Sequence, residues 1–128
     1  MSDRVRLIEH GIVLLDFSDI KEPDKEIHRS AEAKRLIASQ PRGQALVLTD
    51  VTGSNFSQRA IESLKDLVQH NKPYVKASAL VGLSALTRVV FRAVVALTRR
   101  DIRVFESRKE AIAYLLSTRS DPVVPVDD

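Results

Sequence analysis

The chain has 128 residues, of which 44% are hydrophobic and 29% are charged, a composition typical of a globular domain that can bury a core. It contains no cysteine, so disulfides, zinc–thiolate sites and thiol nucleophiles are excluded. Tryptophan is absent, aromatic residues make up 5%, and the net charge is +3, so nothing here indicates base stacking or a nucleic-acid partner.

The two ends of the chain indicate its compartment and its domain boundary. Residues 1–4 lack the apolar core of a secretory signal, and the apolar-rich residues 89–97 are interrupted by Arg92 and too few to cross a bilayer. We therefore predict a cytoplasmic protein with no membrane span. Residues 117–128 contain two prolines and no periodicity, which predicts one domain over residues 1–116 and a flexible C-terminal tail.

The chain begins with a predicted β-hairpin and a helix. A strand with alternating polar and apolar side chains precedes an apolar run at residues 12–17, and Gly11 between them can adopt a positive φ. Pro23 then interrupts the pattern, and Asp24 can cap a helix that runs to about Ser39.

A strand and a helix follow. Residues 45–49 are four apolar residues followed by Thr49, a composition typical of a strand buried on both faces. A small polar loop, residues 50–55, leads to Ser57 as N-cap, and Phe56 in front of it can pack on Ile61 as a hydrophobic staple. One apolar stripe marks the helix: Ala60, Ile61, Leu64, Leu67 and Val68.

The next strand is predicted at residues 74–81 and ends at Gly82. A helix follows it, capped by Ser84 or Thr87, and runs to about Arg99. The last pair is a short strand at 102–105 and a helix whose start has the spacing of a capping box: Ser107 and Glu110.

The element order is therefore β-β-α-β-α-β-α-β-α. Strands separated by helices need crossover connections, so the sheet is predicted to be mixed and mostly parallel. The right-handed crossover rule favours helices mainly on one face. The predicted fold class is α/β.

Four segments, spread over residues 5–116, carry a resemblance to a known family: Leu14-Leu15-Asp16-Phe17-Ser18, Leu48-Thr49-Asp50-Val51-Thr52-Gly53, His70-Asn71-Lys72-Pro73-Tyr74-Val75-Lys76, and the ending from Arg103-Val104-Phe105 to Leu115. With the element order, they resemble the STAS domain, and more narrowly the small stand-alone bacterial proteins similar to anti-sigma-factor antagonists (the STAS/Sec14-like group). The resemblance implies a non-enzymatic regulatory module in signalling. Its partner would be a protein, such as a kinase or an anti-sigma-type regulator, and no cofactor is implied.

In the antagonist branch of that family, a Ser or Thr in an Asp-Ser-Ser/Thr-Gly motif is phosphorylated. The matching stretch is Asp50-Val51-Thr52-Gly53, so the resemblance implies Thr52 as phosphate acceptor with Asp50 beside it. Val51 stands where the family has its first Ser, and Ser54-Asn55 stands where it continues with an apolar residue and Gly.

The loop that begins at Asp50 is the first candidate site. Ligands of open α/β sheets collect at the carboxyl ends of strands, and the next helix offers free N–H groups and a partial positive charge. A phosphate could be held there, whereas the alternative is ordinary turn chemistry. The candidate residues are Asp50, Thr52, Gly53, Ser54 and Ser57.

The turn from Gly82 to Ser84 is a second candidate, with the same anion-binding logic. Because both turns end parallel strands, Gly82 and Thr52 are expected at the same rim of the sheet. The turn lacks the Gly-Lys-Ser/Thr ending of a P-loop, and the alternative is a plain helix start.

The third predicted helix is apolar on nearly every side, so we favour burial within the fold combined with a partner interface. Contact with a lipid is the alternative, and it would need a larger polar face and more aromatic residues. The apolar first hairpin also predicts a homodimer. The candidate interface residues are Arg88, Phe91, Arg92 and Arg99.

Two other functions stay open. A small-molecule or lipid-binding domain, suggested by the Sec14-like resemblance and the apolar third helix, requires an apolar cavity on the order of a few hundred Å³. An enzyme would need acids, bases or nucleophiles in one cleft, and the cluster to inspect is Asp50, Thr52, His70 and Lys76. The three histidines show no metal-ligand spacing, so no metal is predicted.

Overall fold

In the computed structural model, residues 3–54, 58–98 and 101–119 are described, and they contain one five-stranded sheet and four helices. The strands are β1 Val5–Leu7, β2 Val13–Asp16, β3 Ala45–Asp50, β4 Val75–Val81 and β5 Ile102–Phe105. The helices are α1 Pro23–Ala38, α2 Gln58–Asn71, α3 Ala85–Thr98 and α4 Arg108–Thr118. The element order is the predicted one, and the α/β fold class is confirmed.

The strands lie in the sheet in chain order, from β1 at one edge to β5 at the other. β1 pairs antiparallel with β2 through a tight turn in which His10 and Gly11 have positive φ, 62° and 74°. All later pairs are parallel, as crossover helices require. Asp16 is paired with Asp50, and Asp50 with Val81, so the carboxyl ends of β2, β3 and β4 lie side by side.

The sheet separates two hydrophobic cores. Side chains of β3 alternate between them, with Val47 in the core beneath α1, α2 and α3, and Leu46 and Leu48 in the core beneath α4. Ile37 from α1 and Leu115 from α4 are fully buried in their respective cores. Three helices therefore cover one face of the sheet and one helix covers the other, which confirms the prediction of helices mainly on one face.

The start of α1 lies two residues earlier than predicted. The helix begins at Pro23, with Glu22 in the N-cap position, rather than after a cap at Asp24. Proline suits the first helical turn because its φ is already set and its missing N–H would have had no helical acceptor.

The capping box of α4 is confirmed, because the N–H of Glu110 donates to Oγ of Ser107 at 3.2 Å. This helix continues to Thr118, past Leu116, where the sequence places the end of the domain. The predicted cap and staple of α2, Ser57 and Phe56, lie outside the described residues. Among the described helices, none has the length and apolarity needed to cross a membrane.

The predicted burial of α3 is wrong for most of its length. Among its described side chains only Val94 is buried, at 1% exposure, and Phe91 is half-buried against the first core. Val89 and Leu97 are 68% and 65% exposed. The reason is position: α3 connects β4 to the edge strand β5, and among the described helices α2 is the one it packs beside.

Candidate functional site

β2 and β3 end in the same pattern, an aspartate followed two residues later by a hydroxyl residue. Oδ1 of Asp16 accepts hydrogen bonds from Ser18, from its N–H at 3.0 Å and from its hydroxyl at 2.5 Å. Oδ1 of Asp50 accepts from Thr52 in the same way, at 2.9 Å and 2.6 Å. A short polar side chain forms this turn because it reaches the backbone two residues further on. Two carboxylates are thereby held in register at one rim of the sheet.

Arg108, the first residue of α4, joins the two carboxylates. Its Nε donates to Oδ2 of Asp50 at 2.7 Å, and its Nη2 lies 3.6 Å from Oδ2 of Asp16. Arg4 approaches the same oxygen of Asp16 at 3.1 Å. The side chains of Asp50 and Asp16 are 9% and 15% exposed, so solvent screens these interactions less than it would at the surface. We call the set Asp16, Ser18, Asp50, Thr52 and Arg108 the carboxylate site.

The pKa of Asp16 shows that its surroundings favour the charged carboxylate. Burial on its own would raise the pKa. The two hydrogen bonds from Ser18 and the positive charges of Arg4 and Arg108 together outweigh burial and lower the pKa below its ordinary value. The site is therefore built around an ionised Asp16 at neutral pH.

The loop after β3 is tied to the loop after β2. The N–H of Asp19 donates to the carbonyl oxygen of Thr52 at 2.8 Å. The hydroxyl of Ser54 donates to the carbonyl oxygen of Phe17 and accepts from the N–H of Ile20 at 2.9 Å. Ser54 thus has a structural role, whereas Thr52 is exposed and its hydroxyl contacts only Asp50 among the hydrogen-bond partners found in the described residues.

Gly82 and Thr52 lie at the same rim of the sheet, as predicted from their places at the ends of parallel strands, and they are in direct contact. A Cβ added at Gly82 would lie 2.1 Å from Oγ1 of Thr52 and 2.6 Å from its backbone nitrogen. Gly82 also has a φ of +94°, which side chains rarely adopt. The turn before α3 therefore holds a glycine because the Thr52 loop occupies the space of a side chain.

Ser84, in the second candidate turn, forms hydrogen bonds with the first turn of α3. Its Oγ accepts from the N–H of Thr87 at 3.2 Å, and Oγ1 of Thr87 accepts from the N–H of Ser84 at 2.8 Å. Of the two predicted caps, Ser84 is therefore the N-cap, and Thr87 returns the hydrogen bond. The plain helix start accounts for these contacts.

The residues of the enzyme hypothesis do not come together. Asp50 and Thr52 lie at the carboxyl end of the sheet, whereas Lys76 is at the start of β4, where its Nζ donates to the carbonyl oxygen of Arg119. His70 is in the last turn of α2, with Nδ1 3.1 Å from Oδ1 of Asn71. Since β4 runs the length of the sheet between the two groups, they share no cleft.

The exposed half of α3 forms a continuous surface. Arg88 and Arg92 lie on one side of it and Val89 and Leu97 on the other, all exposed. We call these four residues the α3 surface. Small side chains separate them: Ala85, Ala93 and Ala96. Phe91, a predicted interface residue, instead points toward the core, and Arg99 lies outside the described residues.

A small apolar cavity lies between the sheet and the helices α2 and α3. Leu80, Leu67 and Val94 are among the residues that line it, and its volume is about 50 Å³. A drug-sized ligand needs a pocket on the order of 300 Å³ or more. The cavity is therefore far smaller than the lipid- or small-molecule-binding hypothesis requires.

No protein-family model, curated protein or solved structure matches this chain.

The sequence patterns single out Asp50 and Thr52 but not Asp16, Ser18 or Arg108. A signal for Asp16 and Ser18 was present in the sequence, because the spacing Asp-x-Ser/Thr occurs at the end of both apolar runs. Arg108 carries no such signal, since it is 58 positions from Asp50 in the chain and reaches it only through the packing of α4.

Proposed function

We propose that this chain is a regulatory protein-interaction domain of the STAS type, acting without catalysis in a bacterial cytoplasm, and that phosphorylation of Thr52 switches it. The observation that carries the proposal is the position of the Thr52 hydroxyl. Thr52 is an exposed residue at the rim of the sheet, and its hydroxyl is bonded to Asp50 and lies against Gly82.

A phosphate on Thr52 would change this rim in two ways. The ester oxygen no longer has a hydrogen to donate to Asp50, so the 2.6 Å hydrogen bond is lost. About two negative charges are added next to the carboxylates of Asp50 and Asp16, and like charges at this distance repel. Both effects remove the attachment of the Thr52 loop to Asp50, and the loop, which is in close contact with Gly82, would have to rearrange.

The α3 surface is the proposed contact for a protein partner. It begins directly after the turn of Gly82, so it adjoins the loop that phosphorylation would displace. Its exposed Val89 and Leu97 offer apolar contact, and Arg88 and Arg92 favour a partner with acidic groups beside an apolar patch. A negative phosphate at the end of this basic surface would weaken binding to such a partner.

Homodimerisation is a separate part of the proposal. The edge of β1 has no neighbouring strand in the described sheet, and Leu7 on it is 42% exposed. Edge strands with exposed apolar residues are commonly paired. Light scattering at increasing protein concentration tests this, and a mass that stays at one copy would contradict it.

Co-expression with a cognate kinase, followed by intact-mass measurement and peptide mapping, tests the switch. We expect one phosphate, on Thr52. The Thr52→Val variant should lose it, and Ser84→Ala, which removes a hydroxyl at the neighbouring turn, should keep it. Absence of phosphate from Thr52, Ser54 and Ser57 in the wild-type chain would reject the switch.

A further inference from the structure

In the described part of the chain, the face of the sheet that carries α4 is only partly covered. α4 packs on β3, β4 and β5, and an open groove remains between it and β1. Ile8, Leu14 and Ile112 form an apolar floor, and the volume of the groove is about 480 Å³. Clefts that bind ligands have volumes on the order of 300–1,000 Å³. We call this feature the β1–α4 groove.

The charged side chains along the β1–α4 groove are mostly basic. Arg108 and Lys109, in the first turn of α4, lie at the end next to the carboxylate site. Arg6 lies further along, in the middle of β1, and Glu9 lies in the turn after β1 as the one carboxylate among the lining residues. Arg6 and Lys109 are exposed and form no ion pair with the described residues. Anions are therefore favoured at the end beside Lys109 and disfavoured beside Glu9.

Arg108 belongs to the carboxylate site and also lines the groove. Its Nε is bonded to Asp50 and its Nη2 lies 3.6 Å from Oδ2 of Asp16, yet the side chain is 41% exposed. A guanidinium has more N–H donors than these two contacts use, and Nη1 has no hydrogen-bond partner among the described residues. Because the two aspartates already fix the orientation of this guanidinium, little conformational entropy is lost when a further carboxylate binds it.

An acidic peptide segment that carries apolar side chains has the chemistry that this groove favours. The basic side chains favour carboxylates placed together at one end of the segment, and the apolar floor favours leucine-like side chains along the rest. The groove is open along its length, between a strand and a helix, which suits a chain segment lying on the surface. Nucleic acid fits less well, because no phenylalanine, tyrosine or tryptophan is among the lining residues to stack on a base.

We propose that the β1–α4 groove binds a short acidic segment of another protein. The carboxylates of the segment contact Lys109, Arg6 and Nη1 of Arg108, and its apolar side chains cover the apolar floor of the groove. The groove and the α3 surface belong to opposite faces of the sheet, so they are separate binding surfaces. This proposal depends neither on phosphorylation of Thr52 nor on a partner at the α3 surface.

An NMR titration of the ¹⁵N-labelled full chain with a synthetic peptide tests the proposal. The peptide has two aspartates followed by alternating leucines and serines. We expect amide shifts at Ile8, Leu14 and Lys109, with the signals of Val89 and Leu97 on the α3 surface unchanged. Shifts confined to the α3 surface, shifts spread evenly over the chain, or no shifts at about 1 mM peptide would overturn the proposal.

Two control peptides separate the charged contacts from the apolar ones. One has asparagine in place of aspartate, and the other has serine in place of leucine. Each should bind at least about fivefold more weakly than the parent peptide, because each lacks one of the two kinds of contact. Equal affinity of all three peptides would show that the groove does not select acidic apolar segments, and the proposal would be wrong.

Two charge-removing double variants of the chain supply the matched control. Arg6→Gln with Lys109→Gln should weaken binding of the parent peptide about fivefold, because two exposed charge contacts are lost. Arg88→Gln with Arg92→Gln removes the same charge from the α3 surface and should leave the affinity within about twofold. If both double variants weaken binding equally, the net charge of the chain attracts the peptide and the groove does not, which would refute the proposal.

A dilution series without peptide tests the other occupant, a second copy of the chain. We expect the amide shifts of Lys109 and Ile112 to be independent of protein concentration, whereas dimerisation through the β1 edge would move Leu7. Shifts of Lys109 and Ile112 with concentration would show that a second copy fills the groove, against the proposal. The Thr52 switch is read by intact mass, so each of the two proposals can fail without the other.

Discussion

Asp16 and Asp50 occupy opposite positions on two neighbouring parallel strands, and one guanidinium, that of Arg108, contacts both. Two like charges in register would repel each other. Arg108 relieves this repulsion and at the same time fastens the first turn of α4 to the carboxyl ends of β2 and β3. The rim that holds Thr52 and the helix on the far face of the sheet are therefore mechanically joined.

Removing Arg108 should weaken the fold measurably. We expect Arg108→Met to lower the free energy of unfolding by about 1–2 kcal/mol, because two partly buried carboxylates lose a shared partner. The figure is discounted because the Arg108 side chain is 41% exposed. Urea denaturation measures it, with Arg92→Met on the α3 surface as control. Equal stability of the two variants would contradict a role for Arg108 as a bridge.

The lowered pKa of Asp16 predicts a pH-dependent contribution to stability. In the unfolded chain the carboxyl has its ordinary pKa of 3.8, and in the fold its pKa is lower. Its stabilisation is therefore complete above the ordinary pKa and is lost as the pH falls through the folded pKa. Asp16→Asn should be less stable than wild type at neutral pH, and the gap should shrink below about pH 4.

Thermal unfolding of the wild-type chain and of Asp16→Asn, measured from pH 7 to pH 2.5, checks this prediction. The exposed Asp101→Asn variant is the control, and its curve should run parallel to that of the wild-type chain. A gap for Asp16→Asn that is constant over the whole range would contradict the assignment of the charge to Asp16.

Gly82→Ala should be strongly destabilising. The new Cβ would meet the hydroxyl and backbone of Thr52, and the φ of +94° would be strained, so we expect a loss of about 3 kcal/mol or more. Gly11→Ala is the matched control, since Gly11 also has a positive φ but its Cβ would meet only the tip of Arg119, at 4.0 Å. That variant should lose about 1 kcal/mol, the cost of the left-handed backbone. Similar losses would mean that the contact with Thr52 is unimportant.

The α3 surface should matter for partner binding and little for folding. Val89→Gln with Leu97→Gln should change the free energy of unfolding by no more than about 0.5 kcal/mol, because both side chains are already exposed. Val94→Ala, at a buried position of the same helix, should cost about 2 kcal/mol. Chemical denaturation measures the free energy of unfolding of both variants. A large loss for the Val89→Gln, Leu97→Gln double variant would contradict the exposure of these two side chains.

The sequence predicted the order and type of every strand and helix because each apolar run is bounded by a strong local signal. Gly11 marks the hairpin and Ser107 the start of the last helix, and both act within a few residues of the chain. The burial of α3 could not be predicted in the same way. An apolar stripe tells which side chains avoid water, but whether neighbours are present depends on the position of the helix in the sheet.

The candidate site was likewise only partly predictable from the sequence. Contact of Thr52 with Gly82 follows from two parallel strands ending at one rim, and it was predictable from topology alone. The bridge to Arg108 was not, because it depends on which face of the sheet α4 covers and on how far along the strands its first turn lies. Long-range contacts of this kind have no periodicity that a sequence pattern can reveal.

The order of the strands has a consequence for what the rim can bind. In doubly wound proteins the winding reverses partway across the sheet, so adjacent loops diverge and open a crevice in which nucleotides and similar ligands sit. In this chain β2, β3 and β4 are consecutive neighbours, and the helices that follow them all pass to the same side. The carboxyl ends of β2, β3 and β4 therefore lie side by side with no reversal of the winding between them, and this part of the sheet has no crevice of the doubly wound kind.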